Sequence, residues 1–177
     1  ALVGIHDILA LAHKMGISTL EPTKENETRL GLSITLGGGE VKLLDLTFAY
    51  GVFAAGGVRH EPVSILKVLD AQGGTIFEHK NTAGKRVLNR DISFLISHML
   101  LDNNSRRDVF GERSFLNIPG SSVAVKTGTT DDKRDNWTVG YTEKNAVGVW
   151  VGNNNNSPMS PKLASVATGA SPICNRI

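Results

Sequence analysis

Lys126, Thr127, Gly128 and Thr129 follow one another at the end of a β-like run. Each residue type suits the binding of an anion along a strand edge. The lysine brings positive charge to a carboxylate, the threonine hydroxyls donate hydrogen bonds to it, and the glycine has no side chain to block backbone approach. The backbone N–H of Thr129 adds a donor for a developing oxyanion. Taken alone, so short a string recurs by chance in many proteins, and its surroundings must decide what it means.

What must position this set is a sheet. Beyond Pro119 and Gly120, the runs Val123 to Thr127, Trp137 to Tyr141 and Ala146 to Val151 are separated by polar turns, the pattern of successive antiparallel strands. Helices are expected upstream. Asp7 to Met15 carries Ile8, Leu9, Leu11, Ala12 and Met15 on one broad face, with Asp7 as N-cap and Gly16 as stop. Val41, Leu44, Phe48, Val52 and Ala55 recur at spacings of three and four and predict a helix ending at Gly56 and Gly57. Asp91 to Leu101, capped by Asn89, puts Ile92, Leu95, Ile96, Met99 and Leu100 on one side, and the polar residues from Asp102 to Asp108 end it. Between these, Glu21 to Arg29 reads as a surface connection leading to a turn at Gly37, Gly38 and Gly39. Val58 to Asp70, a turn at Gln72 to Gly74, and Thr75 to Glu78 read as a β-hairpin, and Asn153 to Ile177 as a loop with a short closing helix.

Composition narrows the function classes. With 40% hydrophobic and 20% charged residues the chain has the balance of a globular protein. Its 19 Lys+Arg stand against 17 Asp+Glu without a basic stripe, so nucleic acid is not an expected partner. Cys174 is the single cysteine and cannot form an intrachain disulfide. No metal spacing links His6, His13, His60, His79 and His98, and Gly37 to Gly39 lacks the Lys and Ser/Thr of a phosphate-binding loop, so no metal and no cofactor is implied. No run approaches the roughly 18 apolar residues of a membrane helix.

The stretch from Ala124 to Gly152, A-V-K-T-G-T-T-D-D-K-R-D-N-W-T-V-G-Y-T-E-K-N-A-V-G-V-W-V-G, resembles class A penicillin-binding proteins almost position by position. Similarity extends through Leu46 to Gly57, Pro62 to Gly73, Leu101 to Gly111 and Ala167 to Asn175. K-T-G is itself a known signature of these proteins. The resemblance implies an α/β (α+β) fold of the serine transpeptidase and β-lactamase type, an antiparallel sheet flanked by helices, with residues 1–177 as the C-terminal part of one transpeptidase domain whose N-terminal part is missing. The start on Ala1 in an apolar stretch, without Met, fits a cut inside a larger protein. The resemblance implies that Lys126, Thr127 and Thr129 are catalytic, and that with Gly128 they bind peptidoglycan stem peptides ending in D-Ala-D-Ala, or the β-lactams that mimic them. The parent would be a bifunctional synthase on the outer face of the bacterial cytoplasmic membrane, with its glycosyltransferase domain and membrane anchor upstream. A D,D-carboxypeptidase or β-lactamase on the same fold, or a non-catalytic penicillin-recognising module, are the alternatives.

The family's nucleophile lies in an S-x-x-K motif, and here that string occurs as Ser64, Ile65, Leu66, Lys67. It falls in the expected hairpin, where strand alternation separates serine from lysine, so it is rejected. Ser114 to Asn117 is one residue too long for the family's S-x-N motif. The resemblance implies that the acyl-accepting serine and the S-x-N motif both precede the segment that Ala1 to Gly16 resembles, and the chain alone is expected not to acylate. Cys174 stands where the family would suggest tryptophan, and Asn155 where aspartate is common. Trp137 and Trp150 are expected to pack the sheet, and Asp131 to Asp135 to form a charged hairpin tip in which Arg134 is a candidate contact for a second peptide.

Overall fold

The computed structural model describes residues 2–162, 165 and 168–177. Helix α1 (Ile5–Met15) ends at Gly16, whose φ of 113° turns the chain and lets its N–H reach the carbonyls of Ala12 and His13. Gly4, not Asp7, occupies the cap position, and Asp7 lies in the first turn. There its charge meets the positive end of the helix dipole, which explains the preference without a capping bond. The expected connection from Glu21 to Arg29 is in large part a helix, α2 (Lys24–Leu30). Thr23 caps it by accepting a hydrogen bond from the N–H of Asn26 at 3.2 Å. A tight turn centred on Pro22, closed by the Thr23 N–H donating to the Glu21 carbonyl at 2.9 Å, leads directly into a polar helix that buries only Leu30 at its end.

A 3₁₀ segment (Gly31–Leu36) closes at Gly37, and α3 (Leu43–Ala54) follows. Val41 lies before α3 and Leu44 points to solvent, so the buried side is not the stripe that the spacing suggests; it centres on Ala49 and Val52. These two residues join Leu9, Met15, Ile17, Leu20, Leu30, Val87 and Leu88 in the first apolar core. Gly57, at φ 92°, accepts from the N–H groups of Val87 and Leu88, so chain reversal after α3 is tied into that core.

The strands β1 (Val58–Arg59), β2 (Lys67–Leu69), β3 (Thr75–Glu78) and β4 (Lys85–Arg86) come next. The expected hairpin forms between β2 and β3, with Asp70 accepting from the N–H groups of Gln72 and Gly74 at 2.9 and 2.6 Å. Val58 and Arg59 do not extend into it but pair with β4. Helix α4 (Arg90–Leu101) is capped by Asn89 as expected, its side chain accepting from the N–H of Asp91. Its buried side is centred on Ser93, while Ile92, Leu95 and Met99 face outward. The polar residues after it do not end helical structure: Asp102 caps a further helix, α5 (Asn103–Phe110), by accepting from the N–H groups of Asn104 and Ser105.

Strands β5 (Ala124–Thr129), β6 (Asp135–Tyr141) and β7 (Ala146–Gly152) form an antiparallel sheet in the order β5-β6-β7. The register sets Val125, Thr127 and Thr129 opposite Gly140, Thr138 and Asn136, and these opposite Val147, Val149 and Val151. Helix α6 (Ala170–Arg176) covers this face, packing Ala170 and Cys174 on Val149. Burial pushes the Cys174 thiol above its ordinary pKa, as suits a packed rather than reactive sulfur. On the other face α3 lies across β7, where a Cβ on Gly148 would stand 2.0 Å from Thr47 Oγ1. Tyr141 receives Tyr50 and Phe53 there, and its hydroxyl lies 3.0 Å from Ser97 Oγ of α4. The architecture is the expected antiparallel sheet flanked by helices. Ala167, the first residue of the last similar stretch, lies outside the described residues.

Candidate active site

The K-T-G-T residues lie on β5, the outer strand of the sheet. Antiparallel pairing directs alternate backbone groups toward and away from the neighbouring strand. The carbonyl of Val125 is reached from outside by Arg106 Nη1 at 3.4 Å, and that of Thr127 by Lys126 Nζ at 2.7 Å. Residues 125 and 127 therefore turn their peptide groups to the free edge, and alternation turns those of Thr129 the same way. This gives the Thr129 N–H the exposure that an oxyanion donor needs.

Side chains divide differently. Thr127 and Thr129 lie on the α6 face, and Lys126 on the face carrying Trp137 and Trp150. The lysine and the threonine side chains thus flank the strand from opposite sides. The exposed Lys126 ammonium folds over that edge onto the Thr127 carbonyl. Gly128 separates the two threonines. A Cβ built on it would meet only Trp137 Cβ at 3.7 Å, an ordinary contact, and its φ is not in the left-handed region. Neither packing nor backbone geometry demands glycine here, which leaves close approach from outside as the reason for it.

Two residues that sequence reasoning does not single out complete the edge. Arg106, from α5, donates to the carbonyls of Leu100 at 2.9 Å, Val125 at 3.4 Å and Leu116 at 3.4 Å. Burial lowers its pKa from the ordinary value, opposed by the Asp102 carboxylate. Its fork closes the edge at Val125, so a bound chain can add only from Thr127 onward. Asn136, fully buried on β6, donates from Nδ2 to Thr129 Oγ1 at 2.8 Å. The sequence signal for it is slight: an amide in the same strand phase as Thr138 and Gly140.

The turn from Asp131 to Asp135 is not a free tip. Arg134 donates to the carbonyl of Asn156 at 2.6 Å, and the N–H of Met159 to that of Lys133, so the turn is fastened to the asparagine segment. Trp137 and Trp150 are half-buried, meet edge to face at 6.4 Å, and the latter donates to Asp135 Oδ2. Ser64 lies in exposed, non-helical chain, and Lys67 on β2 faces Glu78 at 3.8 Å, which agrees with rejecting that pair as nucleophile and base. A hollow of about 300 Å³ opens beside Thr47, Phe48, Gly51, Val58, His60 and Ala146, away from β5.

The antiparallel sheet, covered by helices, thus presents at its margin the K-T-G signature of serine acyl-transfer proteins. The family described as penicillin binding protein transpeptidase domain matches residues 18–175, and the chain belongs to that family. Among curated proteins it is 35% identical over 130 residues to penicillin-binding protein 2D of Bacillus subtilis, covering 71% of this chain and 18% of that protein. It is 34% identical over 154 residues to penicillin-binding protein 1A of Aquifex aeolicus, covering 85% of this chain and 19% of that protein. The solved structure of PonA1 from Mycobacterium tuberculosis in complex with penicillin V matches with a TM-score of 0.68 at 25% identity, over 90% of this chain and 43% of that one. The chain thus spans about a fifth of the length of these curated relatives.

Proposed function

We propose that the chain serves in a peptidoglycan D,D-transpeptidase, with the β5 edge gripping the free carboxylate of a stem peptide that ends in D-Ala-D-Ala. The observation that carries this reading is the open stretch Thr127–Thr129, flanked by Lys126 and stepped by a glycine that the fold does not require. The ligand lies along the edge as an added strand, its carboxylate taking hydrogen bonds from the Thr127 and Thr129 hydroxyls. Its scissile carbonyl accepts from the Thr129 N–H, and Lys126 raises the local positive potential. A serine oxygen attacks that carbonyl, the peptide bond breaks, and the terminal D-alanine leaves with a proton on its amine. An amine of a second stem peptide then takes the acyl group and frees the serine. No residue of this chain is assigned as that serine. β-Lactams enter by the same carboxylate contacts, and the reaction belongs on the outer face of the cytoplasmic membrane.

The test uses the full-length gene product. A fluorescent penicillin is expected to label it covalently, with Ser64→Ala labelled as strongly as wild type. A product that takes no label, or loses it on that substitution, overturns the assignment. Gly128→Ala probes the edge more finely. It is expected to change stability by less than about 1 kcal/mol and to slow acylation about 10- to 100-fold, since a methyl group holds the ligand off the strand. Stopped-flow acylation beside a thermal melt reads both.

A further inference from the structure

Thr129 has a built orientation, and the residue that sets it sits on the neighbouring strand. The N–H of Ala170, at the start of α6, points at the Asn136 side chain at 2.8 Å. A backbone N–H can only donate, so the amide atom it meets is the carbonyl oxygen, and the NH₂ must face the other way. That NH₂ lies 2.8 Å from Thr129 Oγ1 and 3.4 Å from the carbonyl of Gly128. An amide nitrogen can only donate, so Thr129 Oγ1 accepts. Its one hydrogen is left over, and among the described residues no acceptor lies within reach of it. Thr129 is exposed while Asn136 has no exposed surface, so this hydrogen points to solvent at the strand edge.

We infer that Asn136 is a positioning residue: anchored by Ala170, it fixes the Thr129 hydroxyl as an outward donor and so makes the edge select a ligand with a free carboxylate. A carboxylate is acceptor-only, and a hydroxyl already turned toward it spends no free energy on reorientation. A hydroxyl free to rotate would present its lone pairs to the ligand part of the time. The inference rests on the role proposed above for Thr129 and adds the residue that prepares it.

The experiment compares acylation of the full-length protein by benzylpenicillin and by its methyl ester, which lacks the anionic group. Asn136→Asp keeps the size of the side chain and the acceptor for Ala170, but the oxygen now facing Thr129 can only accept, so the hydroxyl turns inward. The free acid is expected to react roughly tenfold more slowly, and the ester to change by less than about threefold, as a structural defect would not do. In a Thr129→Ala background the same substitution is expected to add less than about twofold. Asn136→Ser, neutral and smaller, carries the same cycle if the carboxylate variant does not fold. Equal losses for acid and ester, or an undiminished loss without the Thr129 hydroxyl, overturn the inference alone. If Thr129→Ala itself leaves acylation by the free acid unchanged, the proposed carboxylate grip fails instead.

Discussion

Lys126→Ala in the full-length protein is expected to slow acylation by penicillin by about two to three orders of magnitude, with the thermal midpoint almost unmoved. Lys126 is exposed, and its ammonium is held by the Thr127 carbonyl, with no carboxylate bridged to it among the described residues. Its charge is not spent on the fold, and surface changes of this kind usually alter stability by less than about 0.5 kcal/mol. Toward a ligand the position differs. The ammonium lies over the edge at the Thr127 carbonyl, while the Thr127 and Thr129 side chains stand on the other face, so an incoming carboxylate would have cationic and hydroxyl donors on both sides of the strand. Lys126→Arg is expected to restore part of the rate, because charge is kept but a planar fork replaces a compact ammonium. Rates of acylation, measured beside a melting curve, decide it: a loss below about threefold for alanine would remove the electrostatic role on which the site rests.

The β5–β7 sheet is legible in the sequence because its strands are short runs rich in β-branched, aromatic and small residues bounded by polar turns, a signal carried by residues close together in the chain. The cap at Asn89 and the stop at Gly16 are legible for a similar reason, since they depend on neighbours a few residues away. Helical periodicity is less informative. It marks an apolar side but not what covers it, so Ile92, Leu95 and Met99 look like core although the sheet meets the side bearing Ser93 and Ser97. Helix α2 buries little beyond Leu30 and so leaves hardly any pattern to detect. At the site, the K-T-G-T string announces itself by residue type. Its supports do not, because Asn136 and Arg106 act through partners 34 and up to 19 positions away, which only the fold brings within hydrogen-bond reach.

Arg106→Leu is expected to destabilise the protein by about 2–3 kcal/mol, well beyond the change expected for Gly128→Ala. Leucine fills part of the same space, but the carbonyls of Leu100, Val125 and Leu116 lose their donor together. Carbonyls left without a partner in half-buried surroundings bear the desolvation cost that the guanidinium had offset. Arg106→Lys should recover little, because one ammonium cannot serve acceptors spread around a planar fork. A fall of about 5–10 °C in the midpoint of the unfolding transition that includes this sheet is the expected reading. Below that transition, penicillin acylation should drop only a few-fold, since Thr127, Gly128 and Thr129 keep their own contacts with β6. That split separates a residue that closes one end of the edge from residues that meet the ligand. If Arg106→Leu abolished acylation at a temperature where the fold persists, the blocked end at Val125 would itself be part of the binding surface, and the ligand would run further along β5 than Thr127.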